Sequence, residues 1–379
     1  MYLSRPSIVC PFGDEKTLFD ALKCGKRALV QREFLGVCML VGAIDFELCD
    51  FKNDTKKEYK SRTNQILLTA LINLSDEINW AIKKYGKKRV GVVIGTTTTG
   101  VEENYRAFLA DDFNKDEFLL SRNAHVNPAN FTREFLGLEN VALGVSTACT
   151  SGIKAFSIAK NFIELGVCDA VVCGGVDSLN SLTLHGFNSL SVLSNSPSKP
   201  FDKTRDGINI AEGAGVFVLS RDDLFGIKLK SISSNCDAYH ITQPNPQATQ
   251  QIKLINELLK QSGLDSVEYI NLHATATVAN DKMEATAIAK TLPNVLASGI
   301  KANIGHTLGA AGAIEAGVCV MSMLNDTVCM QILDNYDDEI ERINLAKTTQ
   351  NLKVNNCLNL SFAFGGDNAG MIIGKTDVS

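Results

Sequence analysis

Short apolar runs alternate with longer amphipathic stretches along most of the chain. Residues 89–95 read RVGVVIG, 141–145 VALGV, 170–174 AVVCG and 215–219 GVFVL. Unbroken runs of this kind, rich in β-branched residues, predict strands buried on both faces. Further strands are predicted within 6–13, 35–46, 228–233, 269–272, 295–300, 357–364 and 371–373. Helical spacing predicts helices over 15–29 (interrupted near Gly25), 63–85, 102–112, 247–262, 281–291 and 310–324. One more runs from Ile153 to a stop at Gly166. Residues 50–60 read as a charged, exposed loop, and 178–198 show no clear period. Strands alternating with helices predict an α/β protein with central sheets covered on both faces. A change of unit near 221–230 divides the chain into 1–225 and 226–379.

Composition narrows this picture only modestly. The 379 residues, 45% hydrophobic and 21% charged, suffice for two packed domains or one large doubled one. A net charge of −5 gives no support to a nucleic-acid surface. The 11 cysteines include no CxxC pair, which suits free thiols in a reducing compartment better than disulfides or zinc. The first residues lack a basic start followed by an apolar core, so no signal peptide is expected. Apolar runs well short of the roughly 20 residues of a membrane helix predict no membrane span. A cytoplasmic protein is the expectation.

Candidate chemistry centres on three strand ends. Between strand 141–145 and the helix after it lies STACTSG, so Cys149 falls where a strand turns sharply into a helix. Unpaired N–H groups at a helix start favour a thiolate, and thiols so placed can titrate at about 3.5–7.5 instead of about 8.5. A small buried hydrophobe is the competing reading of Cys149. Of the five histidines, His273 and His306 follow apolar strands in loops of small residues. Strand-end loops are where α/β enzymes assemble sites. One cysteine and two histidines could ligate a metal, but no second thiol or carboxylate lies at ligand spacing, and nucleophilic catalysis fits better. Lys301 precedes His306, and Glu315 follows it on a predicted helix; a buried pair and a solvated lysine both remain open. Gly365 and Gly366 supply a turn free to use positive φ.

Six ordered motifs, spread over nearly the whole chain, resemble the β-ketoacyl-[acyl-carrier-protein] synthases of the thiolase-like superfamily, in their Cys-His-His subgroup. They are STACTSG around Cys149, KPFDKTRDG from Lys199, DAYHITQPNP from Asp237, HATAT with NDKMEA from His273, KANIGHTLGAAGAIEA from Lys301 and NLSFAFGGDNA from Asn359. The resemblance implies a duplicated α/β/α/β/α fold, a homodimer or heterodimer, and acyl carrier protein as partner. It implies decarboxylative condensation of an acyl group on Cys149 with malonyl carrier protein. Cys149, His273, His306, Lys301 and Glu315 would be catalytic. The N–H groups of Cys149 and Phe364 would form the oxyanion hole, with Phe364 as a gate. Thr275, Thr277, Phe364, Gly365 and Gly366 would bind substrate. No cofactor or catalytic metal is implied, although the family has a cation site near the positions of Asn271 and Glu315.

The chain departs from the family's usual pattern at Ala274, Ala363 and Ala211, each in place of glycine, at Asp367 in place of threonine and at Asp177 in place of glutamate. None of these removes a catalytic group; they suggest a divergent branch, in a specialised polyene or polyketide pathway more than in primary fatty-acid elongation. A thiolase would carry a second cysteine in the closing loop, and 362–366 has none. A non-elongating partner subunit, the other alternative, would lack Cys149. Lys57, Lys60 and Arg62 form the densest basic cluster and are candidates for docking an acidic carrier protein.

Overall fold

Runs too apolar to face water must be covered on both sides, and the fold covers 90–95, 170–174 and 215–219 in this way. A computed structural model of the chain describes residues 1–109, 113 and 115–376. Eleven of the described strands form one sheet, and the other four form two separate two-stranded sheets. The order across the large sheet is Leu296–Ser298, Tyr269–Asn271, Asn356–Phe362, Asp367–Lys375, Ile227–Cys236, Tyr2–Leu3, Gly213–Ser220, Ala170–Asp177, Val90–Gly95 and Ala142–Val145. Ser7–Val9 also pairs with Gly213–Ser220.

The two ends of this sheet repeat one another. Inward from Ala142–Val145, the first two pairings are parallel and the next two antiparallel. Inward from Leu296–Ser298 the same series recurs. Setting Ser7–Val9 aside, both halves place their strands in the chain order third, second, fourth, fifth, first. The first strands of the two halves pair antiparallel in the middle. Residue identity hides this duplication; topology displays it.

Side-chain alternation then builds five layers. Val171 and Cys173 join the core around the helices Ser151–Glu164 and Ala311–Asn325. Their neighbours Ala170 and Val172 pack instead on the outer helices Arg62–Asn73, Ser75–Tyr85 and Asn127–Leu136. In the other half Tyr269, Cys357 and Met371 face the central helices. There Ile270, Leu358 and Ile372 face the outer helices Thr249–Ser262 and Val278–Thr291. This is the duplicated thiolase-like α/β/α/β/α arrangement. The central helices approach closely at Gly152, where a Cβ would lie 2.9 Å from Ala313 N and Gly309 O.

Several elements differ from the sequence expectation. Residues 63–85 form two helices that meet at Leu74, with no Gly or Pro to mark the break. Residues 35–46 are not one strand: Leu35 and Gly36, both at positive φ, turn a hairpin of Val30–Phe34 with Val37–Val41. The helix at 15–29 is shorter, Glu15–Lys23. Within 178–198 lies an unpredicted helix, Ser181–Ser189, whose start is capped by the Asn180 side chain. The expected helix 102–112 is Val101–Leu109, and 110–112 lie outside the described residues. Strand Ala142–Val145 is a sheet edge, and Leu143 is exposed. Leu308–Asn325, 18 residues of mean hydropathy 1.4, matches a membrane span in length and composition, contrary to the reading that no run came near one. It is a core helical segment, 83% buried in the protein.

Candidate active site

The nucleophile turn is set by short-range hydrogen bonds. Ser151 Oγ donates to Ala148 O at 2.6 Å and accepts from Thr147 N at 2.9 Å. This closes the backbone over Ala148, which is held at φ 52°, a strained conformation for a residue with a Cβ. Helix Ser151–Glu164 follows directly. Cys149 thus sits where its chain position predicted, half-buried on a cavity wall. Its ionisation differs from that expectation. Burial pushes the thiol up to about 12, although Lys301 pulls the other way. Desolvation disfavours the thiolate, and the resting group is the neutral thiol.

His306 Nε2 lies 3.0 Å from Cys149 Sγ. The other ring nitrogen, Nδ1, accepts from Leu308 N–H at 3.2 Å, so Nε2 carries the hydrogen. His273 is arranged alike. Lys301 Nζ reaches its Nδ1 at 3.3 Å and its carbonyl oxygen at 2.6 Å, leaving the hydrogen on Nε2. Lys301 also pairs with Glu315, and both are buried. The sequence left that pairing open; the structure makes it. The imidazoles are 1% and 3% exposed. Burial first, then Lys301, holds both well below the usual histidine range, so both are neutral at pH 7. The rings stand edge to face with centroids 5.4 Å apart. Cys149, His273 and His306 offer ligand atoms within 4.8 Å of one another. With each Nδ1 already accepting, the two Nε2–H groups are donors, which suits an oxyanion better than a metal ion.

Sequence reading missed what holds the His273 loop. Glu284 accepts from His273 N at 2.6 Å and Ala274 N at 2.8 Å. Asp281 accepts from Ala276 N at 3.2 Å and Phe201 N at 2.7 Å. These bonds fix Ala274 and Ala276 at φ 46° and 67°. The signal was present in NDKMEA, where two acids stand one helical turn apart. Asp177 has a parallel task. It accepts from the hydroxyls of Thr96, Thr97 and Thr98 and, at 2.6 Å, from Gly309 N just past His306.

The trio opens into a cavity of about 380 Å³. Thr275, Thr277 and Phe364 line it; Gly365 and Gly366 do not. Those glycines, at φ 86° and 78°, form the hairpin tip beside Phe364. Thr277 also caps helix Val278–Thr291. Phe187, Leu190, Val192 and Ile208 complete the apolar wall, and the first comes from the unpredicted helix. The candidate docking cluster does not reach the cavity wall: Arg62 pairs with buried Glu212, and Lys57 pairs with Glu117. Behind the histidines, Asn271 Oδ1, Asn359 Oδ1 and Glu315 Oε2 are buried without a hydrogen-bond partner among the described residues. Asn271 and Asn359 are register partners on adjacent strands.

Comparison with known proteins adds a consistent set of likenesses. Residues 48–224 match the family described as beta-ketoacyl synthase, N-terminal domain, and residues 227–333 its C-terminal domain. The chain is 30% identical to 3-oxoacyl-[acyl-carrier-protein] synthase 2 of Synechocystis, over 89% of this chain and 88% of the relative. It is 28% identical to the synthase 2 of Coxiella burnetii, over 97% of this chain and 96% of the relative. In structure it resembles a chain of the complex of ketosynthase ApeO with its chain length factor ApeC from Xenorhabdus doucetiae. That match has a TM-score of 0.93 and 30% identity, covering 99% of this chain and 97% of the other.

Proposed function

Because the chain belongs to the β-ketoacyl synthase family, we propose a specific division of labour among its site residues. The protein is a 3-oxoacyl-[acyl-carrier-protein] synthase, an acyltransferase that lengthens an acyl chain by two carbons. Cys149 sulfur attacks the acyl thioester, and the carrier's thiol departs with the proton that Cys149 gives up. The N–H groups of Cys149 and Phe364 receive the oxyanion; neither donates to a backbone carbonyl among the described residues. Malonyl carrier protein then loses CO₂, and the electron pair of the broken C–C bond moves onto the thioester oxygen. Two neutral Nε2–H donors, from His273 and His306, stabilise that enolate. The enolate carbon attacks the acyl–Cys149 carbonyl, the C–S bond breaks, and the thiolate sulfur takes up a proton from water. One observation carries this reading: a thiol and two imidazoles meet in one cavity with both ring tautomers set.

The direct test is intact-mass analysis after incubation with acyl carrier thioesters. A single acyl adduct on Cys149 is expected; adducts elsewhere, or none, would remove the assignment. The alternative of a non-elongating partner subunit has no support, since Cys149, His273 and His306 are all in place. We place the division between halves at 225/226, between Gly213–Ser220 and Ile227–Cys236. The unpartnered oxygens of Asn271, Asn359 and Glu315 form a donor set suited to a hard cation, which would fix the strands behind the histidines. We infer a dimer, with either an identical copy or a chain-length-factor-like partner; the likeness to the ApeO–ApeC complex supports the second. The loop departures favour a specialised polyene or polyketide pathway over primary fatty-acid elongation. The free thiols fit the cytoplasm.

Phe364 acts as the gate. The residue is 37% exposed, and its ring packs on Phe187 at 6.0 Å between ring centroids. Ala363 in place of glycine limits the backbone on one side of the ring. Phe364→Ala should raise CO₂ release from malonyl thioester by unacylated enzyme relative to condensation, and Ala363→Gly should do so less. Comparing CO₂ release with and without an acyl primer reads this out; an unchanged ratio in Phe364→Ala would make the ring mere packing.

A further inference from the structure

We propose that the ion pair of Lys154 with Asp367 is a positioning device for acylation, holding the Phe364 N–H in register with the Cys149 N–H. The proposal rests on the roles just given to those two groups. Asp367 closes the hairpin whose tip carries Phe364, and its carbonyl accepts from Ala363 N at 2.8 Å. Its carboxylate crosses to the nucleophile turn. There it accepts a hydrogen bond from the hydroxyl of Thr150, next to Cys149, and another from Lys154 Nζ at 2.6 Å. The opposite strand of the hairpin is tied to the same turn, because Ser361 Oγ donates to Cys149 O at 2.9 Å. Both sides of the hairpin are therefore anchored on the segment that carries the nucleophile.

The tip itself cannot supply this precision. Gly365 and Gly366 restrict the backbone little, and the bond from Gly365 N runs to Ile241 O, away from the turn. An oxyanion hole works only when its donors sit at the position the oxyanion will occupy. Charge matters as well as geometry. Lys154 and Asp367 side chains are 22% and 23% exposed, so solvent screens them only in part. A lone carboxylate here would oppose negative charge growing on the thioester oxygen; the ammonium cancels it. The histidines hang on other supports, Lys301, Glu284 and Leu308 N–H. Loss of the clamp should therefore damage thioester attack and spare decarboxylation.

The experiment compares three variants of the full chain: Lys154→Met, Lys154→Met with Asp367→Asn, and Lys154→Arg. Acylation rate comes from time-resolved intact mass. Decarboxylation is read as CO₂ release from malonyl thioester with each change placed in a Cys149→Gln background. Lys154→Met should slow acylation about tenfold, less than the ~10²-fold that a 1 Å misplacement can cost, with decarboxylation unchanged. Keeping the pair in Lys154→Arg should restore most of the rate, and removing the orphaned charge in the double variant, which leaves the clamp broken, should restore only part of it. Should Lys154→Met fold poorly by thermal melting, Lys154→Gln keeps a donor without the charge and should also slow acylation. Unchanged acylation, an equal fall in both half-reactions, or a double variant no better than the single would overturn the proposal. If the unaltered chain takes no acyl group on Cys149, the site reading fails first and takes this proposal with it; normal loading with indifferent variants sinks the proposal alone.

Discussion

Cys149→Ala should bring condensation to the uncatalysed background while the protein stays folded. The covalent route has no second thiol in the cavity among the described residues, and Ser191, Thr242, Thr275 and Thr277 offer only hydroxyls. None of those hydroxyls lies in the strand-to-helix turn that aims Cys149. Stability should change by about 1 kcal/mol or less, because one partly exposed sulfur is lost and no hydrogen-bond ladder is broken. Cys149→Gln should behave differently. Its amide occupies the place of an acyl group, so the gate should stand open and malonyl decarboxylation should continue. The measurements are β-ketoacyl product by mass and CO₂ release. Product formation by Cys149→Ala near the unaltered rate would refute the nucleophile assignment outright.

The second large effect belongs to the histidines. His273→Ala and His306→Ala should each lower decarboxylation by about 10²–10³, the usual consequence of removing one oxyanion donor. Their effects on acylation should differ. His306 Nε2 is 3.0 Å from Cys149 Sγ, so its loss also disturbs the thiol, whereas His273 should matter mainly to the enolate. The pH profile offers a separate check. Both imidazoles are held below the usual histidine range, chiefly by burial. As pH falls from 8 to 6 they should remain neutral donors, and decarboxylation should stay level through the region where an ordinary histidine titrates. A clear inflection near 6.5, absent in the histidine variants, would show that one of them is solvated and would count against the arrangement described here.

Much of this site was legible in the chain because its parts are local. A buried strand, a run of small residues and a helix pattern are contiguous, so Cys149 could be placed at their junction without any tertiary information. The same holds for His273 and His306 at strand ends and for the glycine turn after Phe364. Local signals also failed in identifiable ways. Periodicity continues through Leu74, so one helix was expected where two form. Ser181–Ser189 is short and weakly amphipathic, yet it supplies Phe187 to the cavity. Charge density groups Lys57, Lys60 and Arg62 as docking candidates, but it does not show that Arg62 is engaged by buried Glu212.

What the sequence by itself determined is the alternation of strands and helices over most of the chain, the type of chemistry and the residues able to perform it. Tertiary structure decided their chemical state. Cys149 stands before a helix start, which favours its thiolate, but burial is a three-dimensional quantity and drives the thiol the other way. The imidazole tautomers depend on Leu308 N–H and on Lys301, and so on loop geometry. The Lys154–Asp367 contact joins residues 213 positions apart. Composition and periodicity describe neighbours along a chain; desolvation, tautomer choice and long-range pairing depend on neighbours in space.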